Sequence, residues 1–293
     1  MGRVFAGFDD RTIPVPTAAG RIRAWVGGDG PPVLLLHGYP QTRTMWHRVA
    51  PDLARRHTLV IPDLRGYGQS GAPEPDPGAR LYSKREMAAD QVAVMDALGF
   101  DRFAVVGHDR GGRVGHRMAR DHRDRVTRLS VLDIVPTRTL FRGTDQAFAT
   151  AYWHWFFLIQ TGGLPERMIG ADPGWFVREI LTRWSADVTA LDPRAVDEYI
   201  ARFTPPVIAA SCADYRAASG VDLEHDDADA DAPLEVPLQV LWGAAGAMAR
   251  LYDVLGTWRA MARHVGGHAI DGGHFPAEES PAATLAALTS FLG

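Results

Sequence analysis

The segment Gly107-His108-Asp109-Arg110-Gly111-Gly112 sets one carboxylate between glycines two residues away on either side. Small residues at those positions permit a tight strand-to-helix turn that holds the central side chain at its tip. An Asp at such a tip attacks carbon rather than an acyl group and forms an alkyl-enzyme ester. A glycine-flanked Asp alone is common in turns, but three further features give this one weight. His37-Gly38-Tyr39-Pro40 follows an earlier apolar run, where an oxyanion-binding loop belongs; the backbone N–H groups of Tyr39 and Arg110 are its expected donors. Gly272-Gly273-His274-Phe275 brings a histidine late in the chain, in the order expected of a general base. Asp133 ends an intermediate apolar run and is the expected third member, holding the His274 ring in one tautomer. The next such run leads into Trp242-Gly243-Ala244-Ala245-Gly246-Ala247, with no acid until Asp253.

Arg110 and Arg113 stand three apart, which on a helix is one face. Beside an anionic nucleophile, a guanidinium pair near a helix N-terminus suits the carboxylate of an anionic substrate.

The elements that must position these groups are legible as runs. Val33–Leu36, Thr58–Ile61, Phe103–Val106, Leu129–Leu132 and Leu238–Trp242 are short and apolar, and each ends at a polar, glycine or proline residue. They read as buried strands of a parallel sheet. Glu86–Leu98, Arg110–His122 and Leu251–Ala262 read as helices, with a last one closing at Phe291. The alternation implies a doubly wound α/β fold. From about 137 to 222 the spacing turns helical and aromatic, with Tyr152-Trp153-His154-Trp155-Phe156-Phe157 at its heart. The expected organisation is a core in two parts, 1–136 and 223–293, interrupted by a helical cap at 137–222.

At this point the sequence resembles the fluoroacetate dehalogenase family of the α/β-hydrolase superfamily. The resemblance rests on Gly107–Arg113 and His37–Pro40, on Asp63–Ser70, and on His154-Trp155 and Tyr215 in an aromatic cap. It implies catalytic Asp109, Asp133 and His274, no cofactor or metal, a cap over the site and a homodimer. It also implies a halide pocket formed by His154, Trp155 and Tyr215, which can offer an imidazole N–H, an indole N–H and a phenol O–H. Trp184 is a further candidate for the pocket wall. One departure is Ala151, where members of the family carry a lysine near the substrate entrance. The expected reaction is hydrolytic dehalogenation of a small 2-halo carboxylate. The Asp tip and His37–Pro40 also suit an epoxide hydrolase, in which Tyr152 and Tyr215 would protonate the ring oxygen; that reading gives Arg113 no role. A non-catalytic binding protein on this fold would normally lack a triad member.

Composition excludes other classes. The 293 residues carry a net charge of -4, and Lys84 is the only lysine among 31 basic residues. Basic and acidic residues interleave with no cationic stripe, so no nucleic-acid partner is expected. Cys212 is the single cysteine, which excludes an internal disulfide and a cysteine-rich zinc site. Residues 1–20 lack a leader pattern and no apolar run reaches membrane-spanning length, so a soluble cytoplasmic protein is expected.

Three chemical-looking segments are read as structural. Gly66-Tyr67-Gly68-Gln69-Ser70-Gly71 matches a dinucleotide fingerprint but runs into Pro73, Pro75 and Pro77, which cannot open a helix. Asp226–Asp231 alternates acids like a calcium loop, but Ala232 and Leu238 stand where the glycine and glutamate belong; it reads as a solvated linker. His274 with Glu278 and Glu279 lacks a second histidine at ligand spacing.

Overall fold

The computed structural model describes residues 7–293; residues 1–6, part of the opening stretch in which the sequence reading found no leader pattern, lie outside the described residues. Among the described residues eight strands form one sheet: β1 (Phe8–Pro14), β2 (Arg21–Gly27), β3 (Pro32–Leu36), β4 (Thr58–Pro62), β5 (Phe103–His108), β6 (Val126–Leu132), β7 (Leu238–Gly243) and β8 (Val265–Ile270). Their spatial order is β1-β2-β4-β3-β5-β6-β7-β8. From β4 to β8 neighbouring strands pair in parallel, while β1 and β2 add an antiparallel edge. The central strands are apolar along their whole length because helices cover both faces; Leu34, Leu35 and Leu36 are fully buried.

The core helices are α1 (Ala50–Leu53), α2 (Lys84–Ala97) and α3 (Arg110–Asp121). Ser83 caps α2 by accepting the Glu86 N–H, the serine-to-glutamate spacing of a helix start. Between β6 and β7 lies a helical segment: α4 (Thr137–Arg142), α5 (Gln146–Ala151), α6 (Trp153–Leu158), α7 (Leu164–Ala171), α8 (Pro173–Trp184), α9 (Pro193–Arg202), α10 (Pro205–Ser219) and α11 (Val221–Ala228). Two start where an Asp cap meets a first-turn proline, at Asp172-Pro173 and Asp192-Pro193. After β7 come α12 (Ala247–Leu251) and α13 (Val254–Arg259), then α14 (Pro276–Glu279) and α15 (Pro281–Leu292) after β8.

Two expectations are corrected. The helix read over 251–262 is broken, because Asp253 turns its carboxylate onto the Gly256 N–H and starts α13 afresh. The acidic run is not a free linker either. Helix continues to Ala228, Asp227 pairs with Arg138 and Arg142, and Asp229 pairs with Arg117. The glycine-rich segment at 66–71 is a turn as expected: a Cβ on Gly68 would lie 2.2 Å from the Asp63 carboxyl group. Among the described residues no helix is long and apolar enough to cross a membrane.

Candidate active site

Asp109 sits between β5 and α3 with φ 44° and ψ -114°, a conformation sparsely populated by non-glycine residues. Its neighbours explain how it is held. A Cβ on Gly107 would lie 2.5 Å from the Gly111 carbonyl oxygen, and one on Gly111 would lie 2.4 Å from that of His37. The turn therefore closes only with glycine at both positions. Gly38 similarly lets the β3 loop approach, since its Cβ would meet that of Asp109 at 2.6 Å. That approach delivers the Tyr39 N–H, which donates to Asp109 Oδ2 at 3.0 Å. The Arg110 N–H follows Asp109 directly, at the opening of α3.

His274 Nδ1 donates to Asp133 Oδ2 at 2.6 Å, and Asp133 Oδ1 accepts the Gly243 N–H at 3.0 Å. With Nδ1 engaged, Nε2 is buried and without a partner, the tautomer a general base requires. Burial alone would lower the pKa of His274. The hydrogen bond and charge of Asp133, aided by the Asp109 charge, outweigh burial and raise it above 6.5. For Asp109 the balance is reversed in sign. Burial would raise its pKa, but His274, Arg110, His108 and Arg113 hold it below the usual carboxylate value. The pair is thus arranged to keep an ionised carboxylate beside a basic imidazole. The His274 loop is also tied to the helical segment, for the Trp184 carbonyl accepts the His274 N–H at 2.9 Å.

Arg110 and Arg113 are both buried on the first turn of α3. Arg110 does not present an open fork. Its Nε and Nη2 donate to the two carboxylate oxygens of Asp214 at 2.9 and 2.7 Å, leaving Nη1 buried and unpartnered. Arg113 Nη1 donates to the Val135 carbonyl and the Thr137 hydroxyl, both at 3.0 Å, and its Nε is left without a partner. Burial and the neighbouring Arg110 charge lower the pKa of Arg113 to about 10, so it stays cationic at neutral pH.

Helices α6 and α10 bring His154, Trp155 and Tyr215 together. The Tyr215 ring lies 5.8 Å from that of His154 and 5.7 Å from that of Trp155. His154 Nδ1 and Tyr215 Oη are buried without partners. The Arg110 guanidinium carbon stands 4.1 Å over the Tyr215 ring, and that of Arg113 stands 4.6 Å over Trp155. Burial lowers the pKa of His154 well below 6.5, so its ring is neutral and has one N–H. A cavity of about 320 Å³ opens onto Asp109, Asp133, His154 and His274. Ala151 and Tyr152 are on its wall, while Arg110, Arg113, Trp155 and Tyr215 are buried beyond that lining.

Trp184, a candidate for the pocket wall from the sequence, is on that wall, and Asp214 adjoins the site although the sequence did not suggest it. Trp184 lines the cavity with its ring 4.4 Å from that of His154 and 5.2 Å from that of His274. Its aromatic type was the only sign. Asp214 gave no sign at all, as a lone acid in an alanine-rich helix. His274, Glu278 and Glu279 do not form a ligand set: Glu278 accepts the Tyr199 hydroxyl and a Gln41 N–H, and Glu279 accepts the Gly273 and Phe275 N–H groups. Among the described residues no group of three or more His, Cys, Asp or Glu could hold a metal ion.

The α/β hydrolase fold family matches residues 31–281. The chain is 44% identical over 291 residues to a fluoroacetate dehalogenase of Burkholderia sp, covering 99% of this chain and 95% of that protein. It is 33% identical over 271 residues to a soluble epoxide hydrolase of Corynebacterium sp, covering 89% and 90%. A provisionally named α/β hydrolase of Nostoc sp PCC 7120 superposes with a TM-score of 0.96 at 51% identity, over 97% of this chain and 98% of that one. The sheet order, the Asp109 turn and the 44% identity over nearly the full length agree, and the chain belongs to the fluoroacetate dehalogenase family of the α/β hydrolases.

Proposed function

We propose that the protein hydrolyses small 2-halo carboxylates, with fluoroacetate as the reference substrate, through an ester on Asp109. The observation that carries this reading is an ionised carboxylate at the turn, flanked by two buried arginines that each keep a buried nitrogen without a partner. Asp109 Oδ attacks the carbon that bears the halogen. The C–O bond forms as the carbon–halogen bond breaks, and the halide takes the bonding pair. Arg110 and Arg113 hold the substrate carboxylate, screening it from the anionic nucleophile. The leaving halide is received by the donors of His154, Trp155 and Tyr215. Fluoride needs such donors most, because its compact charge is costly to strip of water.

His274 then removes a proton from water, which attacks the ester carbonyl carbon. The oxyanion develops against the Tyr39 and Arg110 N–H groups, and Asp133 stabilises the imidazolium. Collapse expels the alkoxide, which takes the proton from the His274 imidazolium and leaves as glycolate when the substrate is a haloacetate; the regenerated Asp109 carboxyl group loses its proton to solvent and is again ionised. In this scheme residues 137–222, with the helix running on to Ala228, act as the cap, and the core is the remainder. The homodimer expected of the family has a surface available on that cap, where Leu164, Met168 and Trp175 are 50%, 60% and 61% exposed. Light scattering at micromolar concentration decides it, since a monomeric mass would remove the dimer.

The epoxide hydrolase reading has one observation in its favour, Tyr152 on the cavity wall with its ring 5.4 Å from that of His154. Halide release from fluoroacetate and chloroacetate, run beside diol formation from a small epoxide, separates the two readings. Diol formation without halide release would overturn ours. The same assay tests the clamp. Arg113→Ala should lower kcat/KM for chloroacetate about 10- to 100-fold, as one charge-assisted bond contributes roughly 1.5–3 kcal/mol. Chloroacetamide, the neutral counterpart, should lose much less. Equal losses on the acid and the amide would remove Arg113 from carboxylate binding.

A further inference from the structure

Arg110 belongs to the core and follows the nucleophile, yet what fixes it belongs to the helical segment. Asp214, on α10, takes Nε at 2.9 Å and Nη2 at 2.7 Å on its carboxylate, and Nη2 again at 2.9 Å on its own carbonyl. The same carboxylate accepts the Tyr67 hydroxyl at 2.7 Å and the Lys84 ammonium. Lys84 lies 3.4 Å from the carboxylate of Asp222 on α11, which also accepts the Lys84 N–H at 2.8 Å. All five side chains are buried. Two acids from the helical segment therefore meet two cations from the core, so the cluster's formal charge is zero before the substrate arrives. Buried charges this deep persist only when paired, because an unpartnered one carries the full cost of lost hydration.

The pairing leaves Arg110 with a single free edge, Nη1. A guanidinium with its fork open beside Asp109 would close a two-point ion pair with the nucleophile. Such a pair would lower the carboxylate's charge density and block its approach to carbon. We propose that Asp214 is a positioning residue for the dehalogenation. It occupies two edges of Arg110, keeps that arginine off Asp109 and presents Nη1 alone to the substrate carboxylate. Tyr215 is the next residue on α10, so one helical turn sets the carboxylate clamp and a halide donor together. This proposal rests on the dehalogenase reading above.

The test separates the two half-reactions. In a single turnover with chloroacetate, Asp214→Asn should slow formation of the Asp109 ester about ten- to a hundredfold, the range of one lost charge-assisted contact. Breakdown of the ester should stay within about twofold. A purely structural role would lower the active fraction and leave both rate constants unchanged, and that outcome overturns the proposal, as does a parallel fall in both. Asp214→Glu is the second variant because it keeps the charge and displaces only the guanidinium. Unreactive acetate, followed by calorimetry, should bind this variant about tenfold more weakly than the wild type. Equal acetate affinity overturns the proposal, and so does a wild type that binds no acetate. The acetate arm requires no turnover. Acetate binding that weakens in Asp214→Glu while the wild type forms no ester would retain the positioning role and reject the dehalogenase reading.

Discussion

His274→Asn will stall with Asp109 esterified. The first half-reaction needs an ionised Asp109 and a free path to carbon; without His274 the Arg110, His108 and Arg113 charges still favour the ionised carboxylate, and the path does not depend on Nε2. The second needs a base for water, and loss of such a group typically costs 10²–10⁴-fold. Intact-mass measurement after mixing with chloroacetate should therefore show the wild type unmodified and the variant carrying one carboxymethyl group on Asp109. A variant that turns over normally, or never gains mass, would remove His274 from this role. The same logic gives a pH dependence in the wild type. Asp109 is held below its usual value and His274 above 6.5, so acidification protonates the base while the nucleophile remains ionised. Ester should accumulate as the pH falls through the His274 value. Esterification removes the Asp109 charge, one of the causes that raise His274, so the base titrates lower in the ester than in the free enzyme. Breakdown rates of trapped ester against pH, compared with a free-enzyme titration of the imidazole by NMR, measure that offset.

Tyr215→Phe will damage defluorination far more than dechlorination. The change deletes one hydroxyl and preserves the ring that packs against His154, Trp155 and Arg110. Loss of a single preorganised donor typically costs ~10²–10³-fold in rate, and fluoride draws most on such donors because its hydration is strongest. The expected loss is on the order of 100-fold with fluoroacetate and clearly smaller with chloroacetate. Rates on both acids, with folded stability matched by thermal unfolding, decide it. Equal losses would mean that the ring shapes the pocket and the hydroxyl does not meet the halide.

What could be read from the chain follows from where each residue's partners lie. The strands from β3 to β7 were legible because burial on both faces leaves short unbroken apolar runs. β8 was not, since Gly266 and Gly267 dilute it and its edge position leaves His268 and Ala269 exposed. β1 and β2 form an antiparallel ribbon whose outer residues are polar, so they lack the run that marked the others. Asp109 and His274 announce themselves by their glycines, because the backbone there must turn sharply. Asp214 has no local requirement of that kind. Its meaning comes from a guanidinium 104 residues earlier in the chain. The half-occupied state of Arg110 was illegible for the same reason: sequence spacing puts two arginines on one face, and only the fold shows which of their donors are already engaged.

The carbonyl of Trp184 on the His274 N–H bears on how such enzymes can be recombined. Beside it, the Ala186 N–H donates to Glu279, whose carboxylate also holds Gly273 and Phe275. The histidine loop is thus seated partly on the helical segment, so under the proposed mechanism the base and the halide pocket would be inherited together. Grafting the helices of a relative between β6 and β7 would replace the proposed halide pocket and the seat of the His274 loop in the same step. Chimeras that cross over after Trp184 and Ala186 would keep that seat while exchanging α9 to α11, so the productive junction lies inside the insertion rather than at its ends.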